Sequence, residues 1–326
     1  MIARTHPAPL DRHEQRQHKL RNALQSLLLL GGMAGLLALC TWTVTGGEGV
    51  PWVVLGGALG LILSPRISPR LVLAMYRAQE LAPHQLPSVH EILHEIASRA
   101  GLQRAPGLFY VPSPVVNAFT VGRGRESAVV VTDGLLRILD LRELSGVLAH
   151  EISHIRNNDL WIMNVADVVA RLTRAMAFLG IVILVVAVPF SLSDRIDVPW
   201  LLVALLVAAP TLGSLLQLAL SRAREFDADL DAAGLTGDPV GLASALEKLE
   251  RVQGGVWERI FMPHRRRSDP SLLRSHPETQ ERVRRLLSLY VPEGLPAFRA
   301  PASIIVPEVF PPVVGRPRRR LTGIWY

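Results

Sequence analysis

Two stretches of the sequence carry a histidine pair spaced by four residues, with a glutamate directly after the first histidine. They are His90–His94 in "SVHEILHEIASRAG" and His150–His154 in "VLAHEISHIRNND". On a helix, residues four apart share one face, so both imidazoles of a pair can bind one zinc ion. The glutamate can then take a proton from a metal-bound water. The chemistry that this spacing predicts is metal-assisted hydrolysis.

The first stretch has the pattern of a surface helix. Its apolar stripe is formed by Val89, Ile92, Leu93, Ile96 and Ala100. Glu91 lies on the opposite side of the helix from this stripe, where a solvated glutamate is normally found. We therefore interpret His90–His94 as a chance match to the metal-binding pattern.

The second stretch places its glutamate inside the apolar face. That face is formed by Leu144, Val147, Leu148, Ile152 and Ile155. Glu151 projects from the middle of the face, and His150 and His154 project from its edge. Burying a carboxylate is costly unless a charge or a hydrogen bond compensates it, and a metal with its water would do so. His150, Glu151 and His154 are therefore the predicted site.

A third metal ligand is expected on another helix. The segment "SRAREFDADLDAAGLTGDP" offers Glu225, with Asp229 one helical turn later. That spacing lets the glutamate bind the ion while the aspartate supports a ligating histidine from behind. Asp159 follows the histidine pair and either orients the active helix or is simply exposed.

Four apolar runs must position these residues. The chain has 326 residues, of which 49% are hydrophobic and only 19% are charged, which is too apolar for an ordinary soluble enzyme. The hydrophobic residues concentrate in Leu24–Val44, Val50–Leu63, Ala175–Leu192 and Trp200–Leu220. The sequence therefore predicts a multi-pass membrane protein, although the second run is short for a span and could be re-entrant.

The basic residues orient these runs. Lysine and arginine are dense before the first run, after the second and after the fourth, and Arg195 is the only one in the two short connections between paired runs. Because basic loops stay in the cytoplasm, the pattern favours four spans with both termini inside. Membrane orientation also explains the net charge of +7, and no nucleic-acid motif accompanies it. His154 and Glu225 are then separated by two crossings and return to the same side.

The predicted fold class is a set of about four α-helical spans with a cytoplasmic α+β zincin-like domain. The expected parts are residues 1–65 with two membrane segments, 66–173 with the histidine helix, 174–220 as a hairpin, 221–290 with the third ligand, and 291–326 as a basic, proline-rich tail. Short strands, including Ala128–Thr132, precede the histidine helix. Asp140 and Glu143 have the capping-box spacing that starts it. Cys40 is the only cysteine, which excludes an intrachain disulfide.

The chain resembles the HtpX-type membrane zinc endopeptidases up to about Tyr290. The resemblance rests on "NAFTVGRGRESAVVVTDGLL", "ELSGVLAHEISHIRNND", the hydrophobic hairpin, "SRAREFDADLDAAGLTGDP" and "RSHPETQERVRRL", in that order. It implies that His150, His154 and Glu225 bind one zinc ion and that Glu151 is the general base. This chain departs from the family at Phe226, where tyrosine is usual, and in its tail.

The resemblance also implies a biological role. Membrane-protein quality control in the bacterial inner membrane is expected, with a cytoplasmic site that cuts unfolded membrane proteins. His276 in "SHP" is a candidate oxyanion donor, or a histidine that merely packs at a helix start. Asn117 either bonds the substrate backbone or is a turn residue, and the strand after it offers an edge on which a substrate could add.

Two other functions remain open from the sequence. A prenyl-protein endopeptidase shares the ligand pattern but normally encloses its site with more spans than this chain has. A catalytically inactive membrane scaffold is the alternative outside enzymes. The intact Glu151 and three candidate ligands argue against the scaffold.

Overall fold

A computed structural model describes residues 12–63, 68–191, 200–261 and 279–289. The helices are α1 Arg12–Thr45, α2 Gly49–Leu63, α3 Pro69–Met75, α4 Pro87–Arg99, α5 Asp133–Ile138, α6 Leu141–Asn157, α7 Asp159–Ser191, α8 Trp200–Thr236, α9 Pro239–Phe261 and α10 Thr279–Ser288. The strands are β1 Gln79–Glu80, β2 Gly107–Val111, β3 Ala118–Val121 and β4 Ala128–Thr132. The predicted strand and the predicted capping-box helix are both present.

Three of the described helices are long and apolar enough to cross a membrane. The candidate spans are Leu20–Thr45 in α1, Asp159–Val186 in α7 and Leu202–Thr236 in α8. The remaining predicted span falls on α2, whose 15 residues reach about 22 Å, short of a hydrocarbon core of roughly 30 Å. The membrane-protein fold class is thus confirmed, and a complete crossing by α2 stays a prediction.

The three long helices pack against one another side by side. Small residues of α7, Ala166 and Ala170, are buried against Met33 of α1 and Leu220 of α8. Further along, Gly180 of α7 lies so close to Leu206 of α8 and Val44 of α1 that a Cβ there would require these two side chains to shift. Small residues at such contacts let membrane helices approach closely.

The sheet belongs to the domain outside the membrane. Its strand order is β1-β2-β4-β3, in which β2 and β4 are parallel and the other pairs are antiparallel. Strand β4 is buried along its whole length, with α3 on one face of the sheet and the main core on the other. Within the described residues β3 is an edge strand, and it lies next to α6.

Helix α6 is the centre of this domain. Asp140 caps its first turn, and the Glu143 side chain bonds back to the Asp140 backbone, which completes the predicted capping box. Gly146 lies so close to α9 that a Cβ there would be 2.9 Å from the Leu242 Cα. The helix is therefore fixed at its start by its cap and along its length by packing.

The two helices that carry membrane spans extend well beyond the apolar runs. Helix α7 begins at Asp159 rather than near Ala175, because charged residues interrupt the apolar pattern but not the helix. Helix α8 continues without a break from its span to Thr236 and includes Glu225. Both spans therefore lead directly into the region around the histidine pair.

Candidate metal centre

Three potential ligands converge where α6 meets α8. The Nε2 atoms of His150 and His154 are 3.1 Å apart. Glu225 places one oxygen 3.5 Å from His150 Nε2 and the other 3.8 Å from His154 Nε2. Donors around tetrahedral zinc are separated by about 3.3 Å, as follows from zinc–nitrogen bonds of about 2.0–2.1 Å. Two imidazoles and one carboxylate at these separations fit a zinc ion with one position open for water.

Asp159 fixes the second histidine from behind. Its Oδ2 atom is 2.7 Å from Nδ1 of His154, and its Oδ1 atom accepts a bond of 2.6 Å from Arg224 Nε. Asn158, in the left-handed conformation with φ of 54°, ends α6 and turns the chain so that Asp159 faces back. A carboxylate on Nδ1 leaves Nε2 free to bind the metal. Of the two alternatives for Asp159, the structure therefore supports orientation.

This contact continues into the membrane-spanning helices. Arg224 also pairs with Asp227 at 3.0 Å, and Asp227 accepts a bond of 3.4 Å from Asn22 of α1. Asn22, Asp159, Arg224 and Asp227 are all buried. The histidine pair is thus held through polar contacts by α1, α7 and α8 together.

Replacing Asp159 with asparagine is expected to weaken zinc binding by roughly tenfold to a hundredfold, as outer partners of ligating histidines typically do. The amide cannot stabilise the His154 tautomer as a carboxylate does, and Arg224 loses one of its two charged partners. Chelator competition on the purified protein measures this affinity. Glu95→Gln, at an exposed carboxylate that pairs with Arg99 away from the metal centre, is the control. Equal affinities in both variants would mean that Asp159 serves Arg224 alone.

Asp229 supports the first histidine, as the spacing predicted. Its Oδ1 atom is 3.0 Å from Nδ1 of His150, although the contact lacks the alignment of a full hydrogen bond. Arg282 of α10 holds both oxygens of Asp229 at 2.7 and 2.6 Å. The same guanidinium lies 3.2 Å from Glu225. Arg282 therefore balances two buried carboxylates at once.

The carboxylates change the basicity of His150. Burial alone would lower the pKa of this imidazole, but the close carboxylates of Asp229 and Glu225 outweigh it and raise the pKa to about 10. Only a neutral imidazole can bind zinc. Binding of the ion to His150 must therefore displace a proton.

Replacing Arg282 with methionine should destabilise the domain by about 3–5 kcal/mol, because two buried carboxylates would lose their cationic partner. The unfolding midpoint of the detergent-solubilised protein measures this effect. Arg284→Met is the matched control, since Arg284 lies two residues away, is exposed and pairs with the neighbouring surface residue Glu281. If both variants unfolded at the same temperature, the buried pair would not stabilise α10 against α8.

The glutamate next to His150 is held by the sheet. Glu151 is buried, and its Oε2 atom accepts a hydrogen bond of 2.8 Å from Thr120 Oγ1 on β3. The same hydroxyl lies 3.3 Å from the Glu151 carbonyl. Thr120 therefore fixes the carboxylate and ties the edge strand to α6.

The other histidine pair lies on α4, away from this centre. His90 Nε2 is 3.0 Å from the Leu81 carbonyl, while Glu91 and His94 are exposed. The buried residues of α4 are Val89, Ile92, Leu93, Ile96 and Ala97. This arrangement agrees with the interpretation of "HEILH" as a surface helix.

Two predicted site residues are not brought to the metal centre by the described structure. Asn117 precedes β3; its side chain is exposed, and its backbone bonds to Thr132. His276 lies outside the described residues, as does the tail after residue 289. The roles of both residues remain predictions.

Two residues of the centre were missed by sequence reasoning. Arg282 lies on the apolar face of α10 with Val283 and Leu286, and an arginine at such a position signals a buried partner. Thr120 carries no comparable signal, because a threonine in a strand is ordinary. Its contact with Glu151 depends on how β3 lies against α6.

The fold and the centre together define a membrane-bound zinc metalloprotease. Residues 83–290 match the family model described as Peptidase family M48. A "Protease HtpX homolog" of Acaryochloris marina is 38% identical over 281 residues, which are 82% of this chain and 94% of that protein. One from Nostoc is 35% identical over 288 residues, covering 82% and 96% of the two chains. This chain therefore belongs to peptidase family M48, and its resemblance to the HtpX-type proteases is confirmed.

A solved structure shares the fold. The crystal structure of S. mikatae Ste24p superposes with a TM-score of 0.51 at 18% identity, covering 83% of this chain and 66% of the longer Ste24p chain. Membership of family M48 and the HtpX relatives confirm the predictions of a membrane metalloprotease, of zinc as cofactor and of protein substrates.

Proposed function

We propose that this protease cleaves misfolded or damaged membrane proteins at the cytoplasmic face of the bacterial inner membrane. The observation that carries the proposal is the direct attachment of the metal centre to the membrane helices. Asp159, which holds His154, is the first residue of α7, and Glu225 lies on α8. A centre held this close to the bilayer reaches segments that leave a membrane, so membrane proteins are its natural substrates.

Each described side chain of the metal centre has a distinct role in peptide hydrolysis. His150, His154 and Glu225 would hold zinc, which lowers the pKa of a bound water and polarises the scissile carbonyl. Glu151 takes the proton of the attacking water and passes it to the leaving amine. Thr120 keeps one carboxylate oxygen of Glu151 occupied, so the other oxygen is directed to the water.

The edge strand β3 is the proposed docking place for the substrate. Its neighbour within the sheet is β4 on one side only, and Thr120 on this strand already contacts Glu151. An extended peptide added to the free edge would lie alongside the metal centre. The exposed Asn117 side chain at the start of the strand can bond its backbone.

The cytoplasmic orientation is supported by the charge distribution. The stretches before the apolar run of α1 and after that of α8 are rich in basic residues, whereas the connection between α7 and α8 has Arg195 alone. The basic segments remain inside. His150 and Glu225 then face the cytoplasm.

The test is cleavage in proteoliposomes that contain zinc, with a membrane protein in its native form and in a destabilised variant. We expect the destabilised protein to be cut in its cytoplasmic loops and the native one to be spared, with no cleavage by Glu151→Gln. Preferential cleavage of a prenylated peptide would overturn this proposal in favour of a prenyl-protein endopeptidase. Absence of cleavage of every protein substrate by the zinc-loaded chain would favour the scaffold.

A further inference from the structure

One face of α7 carries polar side chains at the spacing of a helical stripe. Asn164, Asp167, Arg171 and Arg174 recur every three or four residues, and together they form what we call the polar strip. Asp167 and Arg171 are paired with each other, and the Arg171 side chain is 70% exposed. Arg174 is also exposed. Asp167, Arg171 and Arg174 lie on a different face of α7 from Ala166 and Ala170, through which the helix packs on α1 and α8.

Contacts between the helices fix the depth of the strip. Gly213 of α8 lies against both Leu36 of α1 and Thr173 of α7. Arg174 is therefore level with the middle of the apolar run of α1. On α8, Gly213 precedes the end of the apolar run at Leu220 by about 10 Å of helix. The strip thus occupies the cytoplasmic half of the span region.

The exposed surfaces of α1 and α8 at this depth are apolar, as expected for surfaces that face the hydrocarbon core of a bilayer. Leu24, Leu28 and Leu39 of α1 are all exposed, as is Leu212 of α8, which is next to Gly213. Exposed leucines along two long apolar helices fit the hydrocarbon of a membrane. The bilayer that covers them also reaches Asp167, Arg171 and Arg174. Exposed charges at such a depth are costly in hydrocarbon and draw water and lipid headgroups towards them.

The polarity stops halfway along the helix. Beyond Arg174 the same face of α7 carries Phe178, Val182 and Val185, all exposed and apolar. In the other direction α7 begins at Asp159, which is buried on another face of the helix and contacts the ligand His154. The charged part of α7 therefore lies in the half of the helix nearer the metal centre, and the far half of this face is apolar.

We propose that the polar strip forms a water-filled groove in the cytoplasmic leaflet through which the end of a substrate's membrane segment reaches the metal centre. This inference rests on the proposed function and specifies which part of a membrane protein the enzyme takes. A membrane helix must unwind before it can be cleaved, and its freed backbone groups need water or protein partners. A groove lined by charged side chains provides water and protein partners at the depth where the substrate's membrane helix ends.

Cysteine accessibility tests the groove without any proteolysis. In a Cys40→Ala background, Ala175→Cys introduces a thiol one turn from Arg171 and leaves all three charges in place. Leu212→Cys, exposed at the same depth on α8, is the control. In permeabilised proteoliposomes we expect a charged, membrane-impermeant maleimide to modify Ala175→Cys at least tenfold faster. Adding Arg171→Leu and Arg174→Leu should bring its rate down to that of the control.

Equal modification rates at the two cysteines would overturn the groove, since lipid or another protein would then cover the strip. The second arm compares substrates. Arg171→Leu with Arg174→Leu should reduce cleavage of a membrane-embedded substrate at least tenfold more than cleavage of a soluble unfolded protein. Equal reductions would overturn the entry role even if the maleimide reacts. If the unmodified enzyme cut only soluble proteins, the proposed function would fail, and the labelling would still decide whether the groove exists.

Discussion

Glu151→Gln is expected to lower the turnover number for peptide cleavage by about 10²–10⁴-fold, the contribution that a general base typically makes. Glutamine has the shape of glutamate but cannot accept the proton of the attacking water. The three candidate ligands are untouched, so the variant should still bind one zinc ion per chain. Measuring the cleavage rate of an unfolded protein together with the zinc content separates a loss of chemistry from a loss of metal.

The matched control is Glu91→Gln in the other His-Glu-x-x-His stretch. Glu91 is exposed on α4, so this substitution should leave both cleavage and zinc content unchanged. If Glu91→Gln were the variant that stopped cleavage, the assignment of the metal centre to α6 would be wrong. If Glu151→Gln lost its zinc, Glu151 would be needed to build the site and could not be assigned as the base from this experiment.

The sequence predicted those parts of the site that depend on position within one helix. The side of α6 on which Glu151 lies follows from helical periodicity, and so does the burial that distinguishes Glu151 from Glu91. The capping box at Asp140 is equally local, because its partners are three residues apart. Glu225 with Asp229 was found in the same way. Each of these inferences needed only the geometry of a single helix.

The parts that could not be predicted depend on contacts between elements far apart in sequence. Thr120 meets Glu151 only because β3 lies beside α6, and Arg282 meets Asp229 only because α10 packs on α8. Periodicity says which face of α10 is buried but not which carboxylate that face meets. A structure is required for such pairings.

The depth of α7 in the membrane is a second example. The apolar run predicted from the sequence starts at Ala175, because charged residues end a hydrophobic run. Asp167, Arg171 and Arg174 were therefore expected to lie outside the bilayer. The contacts of Thr173 with α8 instead place these residues beside the apolar run of that helix. Hydropathy along one chain cannot detect this shift, since it arises from how neighbouring helices align.

Glu225→Ala should remove bound zinc and with it all measurable cleavage. The remaining His150 and His154 form a two-ligand site, whereas catalytic zinc in proteins normally has three protein ligands. The domain itself should stay folded, because Arg282 keeps Asp229 as a bidentate partner. We expect less than about one tenth of the zinc content of the unmodified chain after dialysis, with one ion per chain as the reference.

Glu250→Ala on α9 provides the control, since Glu250 is exposed and its loss should alter neither zinc content nor cleavage. Retention of zinc by Glu225→Ala would contradict the ligand assignment and would point to another carboxylate near the two imidazoles, with Asp229 the first to test. Glu225 reaches His150 only after the chain has passed through the α7 and α8 spans. The loss of zinc in this variant would therefore show that the metal centre is completed by a residue that follows the membrane hairpin in the sequence.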